Sequence, residues 1–385
     1  MTKLNVTFLS NGHGEDTIAV SLAKALLEQL PDAELSAFPT VDMGKAYETL
    51  SIPILGPRQI MPSSGLLMHN WELFQGDIRA GFIPMTLKQI RGLSRLKTDV
   101  LIVVGDAFAL LLSSFVKTRY RFYLQTLVSA HHAAPKTRHL NRFFMEHLSY
   151  PERVLIRHLV NQTYVRDALT ERVLKATGLT QVSYLGNPML DGLGGKPMHL
   201  PSPVITLLPG TRAYAPRALE LMLDAVSQLN SVTALVAWAL ETDIPTFPHW
   251  QQTNPGTEIG LVRKLEQGSN QVLFFKGRYA DCLHSADLVI GTSGTANEQA
   301  AALGKPVVAF DVPPLYSEAF LENQKRLLAE ALTVVKADAQ EIALAIQTLL
   351  SDKAGYQLAT TRGQERMGKA GGSKALIKDM LERIH

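Results

Sequence analysis

Chemistry-bearing residues in this chain recur in one setting: small and polar side chains directly after a short apolar run. The first such cluster is Ser10-Asn11-Gly12-His13-Gly14-Glu15-Asp16, after Leu4–Leu9. Glycines at such a turn let backbone N–H groups approach a ligand, and a helix starting there favours an anion. The spacing is not GxGxxG, and no acidic residue ends a second strand at the distance a dinucleotide site needs. His13 lies between two glycines and is expected to be exposed at the carboxyl end of the first strand, where it is a candidate catalytic group. The plain alternative is a tight turn in which Asp16 or Thr17 caps a helix.

The second cluster is Val103-Val104-Gly105-Asp106. A carboxylate just past a buried strand is partly desolvated and close to whatever binds at the sheet's mouth, as a general base must be. Asp106 is equally suited to cap a helix from Ala107, and the two roles are compatible. The third is Leu208-Pro209-Gly210-Thr211-Arg212, in which Gly210 and Thr211 offer N–H and hydroxyl groups and Arg212 can hold a phosphate through two nitrogens. The fourth carries the clearest signal: Gly291-Thr292-Ser293-Gly294-Thr295-Ala296-Asn297-Glu298-Gln299, followed by Gly304-Lys305-Pro306. Small hydroxyl and glycine residues opening a helix suit a pyrophosphate, and Glu298 or Gln299 one turn later could hydrogen-bond ribose hydroxyls. A fifth, Tyr316-Ser317-Glu318 through Glu322-Asn323-Gln324, could offer polar groups to a sugar, or could be a solvated helix face.

These clusters need strands to end where they begin. Strands are expected at Leu4–Leu9, Asp99–Val104, Phe122–Leu127, Val160–Val165 and Val182–Leu185. After a Pro- and Gly-rich stretch, Gly192–Pro203, more follow at Val204–Leu208, Thr233–Trp238, Val272–Phe275, Leu288–Ile290 and Val307–Phe310. Helical stretches such as Ile18–Leu30 and Arg217–Leu229 alternate with them. That rhythm predicts parallel sheets covered by helices on both faces, and the break predicts two α/β domains. No repeat of fixed period is present.

Composition agrees with a folded core: 46% of residues are hydrophobic and 19% charged, too little charge for a disordered chain. The formal charge of +3 excludes a dedicated polyanion binder. The basic excess lies N-terminally, and Lys117, Arg119, Arg121, Lys136, Arg138, Arg142, Arg153 and Arg157 face only Glu146 and Glu152 over that stretch. The one cysteine, Cys282, excludes a disulfide framework and a cysteine-based zinc site. No window approaches a bilayer-spanning length, and the opening residues do not form a signal peptide. A cytoplasmic protein is expected, peripheral at most on the inner face of the plasma membrane.

Together the motifs resemble those of GT-B glycosyltransferases, and most closely the lipid-A-disaccharide synthase family in its synthase-related branch. The resemblance runs over most of the chain. Asp106 matches the family's Asp after the second apolar run. Gly186-Asn187-Pro188-Met189-Leu190-Asp191 matches its Gly-(His/Asn)-Pro-x-x-Asp element. Leu208–Arg212 matches Leu-Pro-Gly-Ser-Arg, with Thr211 for Ser. Ser293–Ala296 matches Ser-Gly-Thr-Ala-x-x-Glu, with Gln299 in the Glu position and Glu298 one residue early. Gly12–Asp16 only loosely echoes the family's opening loop.

The resemblance implies two Rossmann-like doubly wound domains with a cleft between them. Residues 1–190 would form the acceptor domain, with a C-terminal helix, 362–385, packing back on it. Residues 200–361 would bind the nucleotide-sugar. It implies an inverting, metal-independent hexosyl transfer in which a UDP-sugar is donor substrate and no cofactor is needed. Asp106 would deprotonate the acceptor, with His13 beside it and Gly12, Gly14, Glu15 and Asp16 on the acceptor side. Gly210, Thr211, Arg212, Ser293, Gly294, Thr295, Ala296, Glu298, Gln299 and Gln324 would hold the donor. The implied acceptor is a lipid-linked or glycolipid hydroxyl. Met61–Leu96, where Leu66, Leu67, Met68, Trp71, Phe74, Phe82, Ile83 and Met85 precede Lys88, Arg91 and Arg95, suits an anionic membrane surface, or is an ordinary amphipathic helix. Two other classes remain open. A UDP-sugar 2-epimerase would recruit His13, Glu15 and Asp106. A non-enzymatic membrane- or nucleic-acid-binding protein would use the basic stretch, although no nucleic-acid motif accompanies it and no nucleic-acid partner is expected.

Overall fold

The computed structural model describes every residue except 1–2, 42, 61–70, 134–147, 241, 314–315 and 385, and the backbone alone at 71–74. The chain forms two compact units, Met1–Asp191 with Lys369–His385, and Gly192–Gly368.

The first unit opens with β1 (Asn5–Ser10), α1 (His13–Gln29) and β2 (Glu34–Pro39). Then come α2 (Trp71–Arg79), α3 (Phe82–Leu93), β3 (Lys97–Gly105), α4 (Ala107–Ser113) and β4 (Lys117–Gln125). It continues through α5 (Tyr150–Leu159), β5 (Gln162–Tyr164), α6 (Ala168–Ala176) and β6 (Val182–Ser183). The sheet is wholly parallel, in the order β2-β1-β3-β4-β5-β6. Its central strands are apolar on both faces, as a sheet covered on both sides requires. Val100, Ile102 and Val104 of β3 pack into the layer with α1, while Leu101 and Val103 pack into the opposite layer. In α1, Ile18, Leu22 and Leu26 recur at helical spacing and face the sheet.

The second unit runs β7 (Val204–Leu208), α7 (Ala215–Ser227), β8 (Thr233–Ala237), β9 (Gln251–Thr253), β10 (Leu261–Gln267) and β11 (Asn270–Phe275). Then follow α8 (Tyr279–Ser285), β12 (Leu288–Gly291), α9 (Gly294–Ala302) and β13 (Val307–Ala309). Last come α10 (Glu318–Leu328), β14 (Leu332–Val334), α11 (Ala339–Ser351) and α12 (Lys353–Met367). The sheet order is β14-β13-β12-β7-β8-β11-β10-β9. The expectation of parallel strands needs correction here, because β9, β10 and β11 pair antiparallel at one edge. Charged Lys264 and Glu266 on β10, one strand in from that edge, hide it from a search for apolar runs.

The chain then returns to the first unit as α13 (Gly372–Ile384), whose Leu376, Ile377 and Met380 join the core beside α1. The return lies later than residue 362, because Lys353–Met367 is one helix held in the second unit. Its Gly363 is so close to Ala301 that an added Cβ would lie 2.3 Å from the Ala301 carbonyl oxygen. Asp191 marks the crossing. Its carboxylate accepts from the backbone N–H of Gly371 and, at 2.6 Å, from that of Ser373. An added Cβ on Gly372 would lie 2.7 Å from the backbone nitrogens of Asn187 and Pro188. The Gly186–Asp191 element is therefore a clasp for the returning helix.

Candidate functional site

In an open parallel sheet, ligands bind beyond the carboxyl ends of two neighbouring strands whose connections leave in opposite directions. The first sheet has one such point, between β1 and β3, because the chain steps from β1 outward to β2 and then crosses to β3. The second has one between β12 and β7. The two strands of each pair end in the loops that the sequence singled out.

At the β1/β3 point, Asp106 is half-buried and caps α4. Its Oδ1 accepts from the backbone N–H of Phe108 at 2.9 Å and of Ala109 at 3.3 Å. Asn11 adds a third donor to the same oxygen, Nδ2 to Oδ1 at 2.6 Å. All three of these bonds are made to Oδ1. Burial pushes the Asp106 carboxyl above the usual carboxylate range, and these hydrogen bonds partly oppose it. Thr126, after β4, ties the neighbouring loops together: its N–H donates to the Gly105 carbonyl and its hydroxyl to Glu15 Oε1 at 3.2 Å.

Three expectations change at this loop. The helix starts at His13, so Gly12 is the cap position, and neither Asp16 nor Thr17 caps. Asp16 is only 1% exposed and lies under the loop rather than on the acceptor side. It accepts the Ser10 hydroxyl at 2.5 Å, and the buried Tyr47 hydroxyl lies 2.7 Å from Ser10 Oγ. The single Ser10 hydrogen goes to Asp16, so Tyr47 donates to Ser10. His13 stands exposed at the helix start beside half-buried Gly14 and Glu15, and it is Asn11 that reaches Asp106.

Behind Asp106 lies a group that no local motif announces. Glu152 of α5 is buried and accepts from the Tyr123 hydroxyl and from Gln125 Nε2, each at 2.9 Å. Burial, reinforced by the Asp106 charge, pushes its carboxyl up to about 7.

At the β12/β7 point the two loops are fastened to each other. The Tyr214 hydroxyl donates to the Thr292 carbonyl at 2.7 Å, and the Thr292 hydroxyl donates to the Pro209 carbonyl at 3.1 Å. Gly210 has φ +90, a conformation that favours glycine. Thr211 is exposed. Arg212 is half-buried, forms no ion pair among the described residues, and has its guanidinium pKa lowered by that burial. Ser293 is the cap residue of α9, yet its side chain makes no capping bond. The first amides of α9, at Gly294, Thr295 and Ala296, precede the first helical hydrogen bond, Asn297 N–H to the Ser293 carbonyl. Glu298 and Gln299 are half-buried one turn on, and Gln299 Oε1 accepts the Tyr279 hydroxyl at 2.8 Å.

Gln324 is placed differently from expectation. It is buried, its Oε1 accepts from the Tyr316 hydroxyl at 2.8 Å and Asn297 Nδ2 at 3.1 Å, and its Nε2 donates to the Gly294 carbonyl at 2.8 Å. Through these bonds it braces the start of α9 and Tyr316. The fifth cluster is thus a brace, with the buried Asn297 at its centre.

The basic stretch is divided. Arg121 is buried and donates to the carbonyls of Leu159, Ser113 and Val116. Lys136, Arg138 and Arg142 lie outside the described residues. Of the Met61–Leu96 segment, 61–70 also lie outside them. Its α3 buries Gln89 and Leu93 but leaves Ile83 54% and Leu87 62% exposed, one turn apart, with Lys88, Arg91 and Arg95 exposed beyond. Leu111 and Phe115 are exposed at and just beyond α4, and the Phe82 and Phe108 rings join α3 to α4 at 5.8 Å. Among the described residues no helix is long and apolar enough to cross a membrane, and no group of three or more His, Cys, Asp or Glu could hold a metal ion.

No protein-family model matches the chain. A lipid-A-disaccharide synthase of Thiobacillus denitrificans is 27% identical over 193 residues, 46% of this chain. That match spans about half, 48%, of the relative's length. Among solved structures, the calicheamicin glycosyltransferase CalG4 superposes with a TM-score of 0.62 at 14% identity, covering 100% of this chain and 98% of that one. MurG of Acinetobacter baumannii gives 0.56 at 13% identity over 98% and 99%. The UDP-GlcNAc 2-epimerase of Neisseria meningitidis, solved with UDP-GlcNAc, gives 0.56 at 13% identity over 98% and 100%. The fold is GT-B, with two Rossmann-like units.

Proposed function

We propose that the chain is an inverting glycosyltransferase that moves a sugar from a UDP-sugar to a hydroxyl of a lipid-linked or glycolipid acceptor. One observation carries this reading. Polar groups left free by the fold collect at the switch point of each sheet: a carboxylate oxygen in the first unit, and a guanidinium with a helix N-terminus in the second. Asp106 Oδ2 takes the acceptor proton while the acceptor oxygen attacks the anomeric carbon and the bond to the UDP oxygen breaks. Negative charge grows on the departing diphosphate. Arg212, the Ser293 hydroxyl and the first amides of α9 offset it, and their fixed orientation lets them stabilise the transition state more than the bound donor. Similarity to the T. denitrificans synthase supports the donor and acceptor classes.

The exposed Ile83, Leu87, Leu111 and Phe115, bordered by Lys88, Arg91 and Arg95, fit an anionic lipid surface, with apolar side chains entering the headgroup region and basic ones meeting its charge. Phe108, two residues beyond Asp106, touches Phe82 at the start of α3, so this surface adjoins the proposed base.

Calorimetric titration with UDP, beside ADP and GDP at the same salt, tests the donor half. Micromolar binding of UDP alone, lost in Arg212→Ala, is expected, and equal affinity in that variant would remove Arg212 from the site. The structural likeness to epimerases bears on a second reading, in which His13, Glu15 and Asp106 act on the sugar itself. Conversion of a UDP-sugar to its epimer without acceptor would favour it over transfer.

A further inference from the structure

The neighbourhood of Asp106 contains a side chain in an unusual position. Asn11 Nδ2 lies 2.6 Å from Asp106 Oδ1, while the amide's own Oδ1 is buried and has no hydrogen-bond partner. That oxygen lies against Gly105, where an added Cβ would sit 2.0 Å from it. Turning the amide over would direct its oxygen at the carboxylate and leave the NH2 group unpartnered instead. An unsatisfied buried acceptor is unfavourable, and here it is retained in the only orientation that keeps a donor on Asp106.

Resting on the transferase reading, we propose that Asn11 is a positioning residue for Asp106. Its carboxamide, pinned between Gly105 and the carboxylate, holds Oδ1 so that Oδ2 alone is presented to the acceptor hydroxyl. The residues at 105 and 106 follow from this. Gly105, with φ +152, leaves room for the amide, and the amides of Phe108 and Ala109 complete the set that fixes Oδ1. A base fixed at one oxygen cannot rotate to offer the other, so the attacking hydroxyl meets one geometry.

A consequence for acidity separates this role from simple packing. Burial raises the Asp106 pKa and the Asn11 hydrogen bond lowers it. Removing the bond therefore raises it further, and the ionised base is lost at higher pH. The titratable groups coupled to Asp106 are Glu152 on α5 and Tyr123 on β4. Glu152 titrates near 7 and would overlap. The measurement is accordingly made in a Glu152→Gln background as well as in the natural sequence.

The test is a pH titration of the full-length protein labelled with 13C at aspartate carboxyls. The Asp106 signal is identified by its loss in Asp106→Asn. In Asn11→Ala its midpoint should rise by about one pH unit, equivalent to about 1.4 kcal/mol. In a UDP-release assay below the midpoint kcat should fall about tenfold, since a one-unit rise leaves about a tenth as much base ionised there, with KM unchanged, and the acid limb of activity should move up with the midpoint. Asn11→Ser, which keeps a donor, should recover part of both effects, and Asn11→Asp, which places a second carboxylate there, should raise the midpoint further. An unshifted midpoint in either folded variant, Asn11→Ala or Asn11→Asp, would overturn the proposal. If Asp106→Asn retains turnover, the transferase mechanism fails, whereas the midpoints still decide whether Asn11 holds Asp106. If Asp106→Asn is inactive and Asn11→Ala is fully active with an unmoved midpoint, the positioning role alone fails.

Discussion

Replacing Asp106 by Asn removes the proposed base while changing almost nothing else, which makes it the most informative single substitution. The carboxamide has the shape of the carboxylate. Its oxygen can accept from the Phe108 and Ala109 amides that Oδ1 now caps, and Asn is as good a helix cap as Asp. The native carboxylate is desolvated, as its raised pKa records, so a neutral isostere also removes a cost. Stability should therefore stay within about 1 kcal/mol of the natural protein, a change in Tm of roughly 2–4 °C. Turnover should behave quite differently. A positioned general base contributes roughly 100- to 10,000-fold, or about 3–5 kcal/mol of barrier. UDP affinity should not move, because the groups assigned to the diphosphate belong to the other unit. The assay pairs UDP release in the presence of acceptor with calorimetric UDP binding and a melting curve on the same preparation. A variant that keeps more than a tenth of the natural kcat with unchanged melting would refute Asp106 as the base.

Three other outcomes are expected. Glu152→Gln should leave stability unchanged at pH 4 and raise it at pH 8. The natural carboxyl has its pKa lifted from 4.5 to about 7, so the native state loses stability as pH rises through that window, by about 3 kcal/mol, and the neutral amide does not. A flat difference between the two melting curves from pH 4 to 8 would contradict the burial argument. Gly372→Ala should destabilise by roughly 1–3 kcal/mol, because the atoms that its Cβ meets at 2.7 Å are backbone and cannot yield, whereas Gly192→Ala, with open space around it, should be near neutral in urea titration. Leu87→Asp should weaken sedimentation with phosphatidylglycerol vesicles, leave melting unchanged and leave UDP binding intact. Equal sedimentation would remove α3 from the proposed lipid contact.

Much of the fold was legible, and the physics explains which parts were not. Central parallel strands are buried on both faces, so β1, β3, β7 and β12 read as continuous apolar runs. Edge strands have one open side. β2 begins at exposed Glu34 and ends at Pro39, β9 is a three-residue strand carrying two Gln, and β14 is three residues long; β10, next to β9, carries Lys and Glu. None of these has a periodic apolar signal, and all went unread. β4 begins at exposed Lys117, ahead of the apolar Phe122–Leu124 that marked it. The site divides along a similar line. Loops at strand ends were visible because glycine and hydroxyl residues follow apolar runs, but partners brought together by the sheet were not. Asn11 meets Asp106 only because β1 and β3 are neighbours, and Glu152 comes to Tyr123 and Gln125 only through packing of α5.

The misplaced residues make a more general point about motifs. Asp16, Asp191 and Gln324 are polar and stand in or beside matched motifs, and Asp16 and Gln324 were expected on the acceptor and donor sides. In the structure each has its hydrogen-bonding capacity taken by the protein: Ser10 for Asp16, the α13 amides for Asp191, and Tyr316, Asn297 and Gly294 for Gln324. Arg212, the Ser293 hydroxyl and Asp106 Oδ2 stand in the same kind of sequence but keep capacity to spare. Buried or half-buried polar groups are normally satisfied, so a group left without its natural partner at a strand's carboxyl end is a stronger mark of a ligand site than residue type or spacing. By that criterion the first motif divides within itself: Asp16, bonded to Ser10, belongs to the scaffold, while Asn11 reaches out of the motif to Asp106, the proposed base.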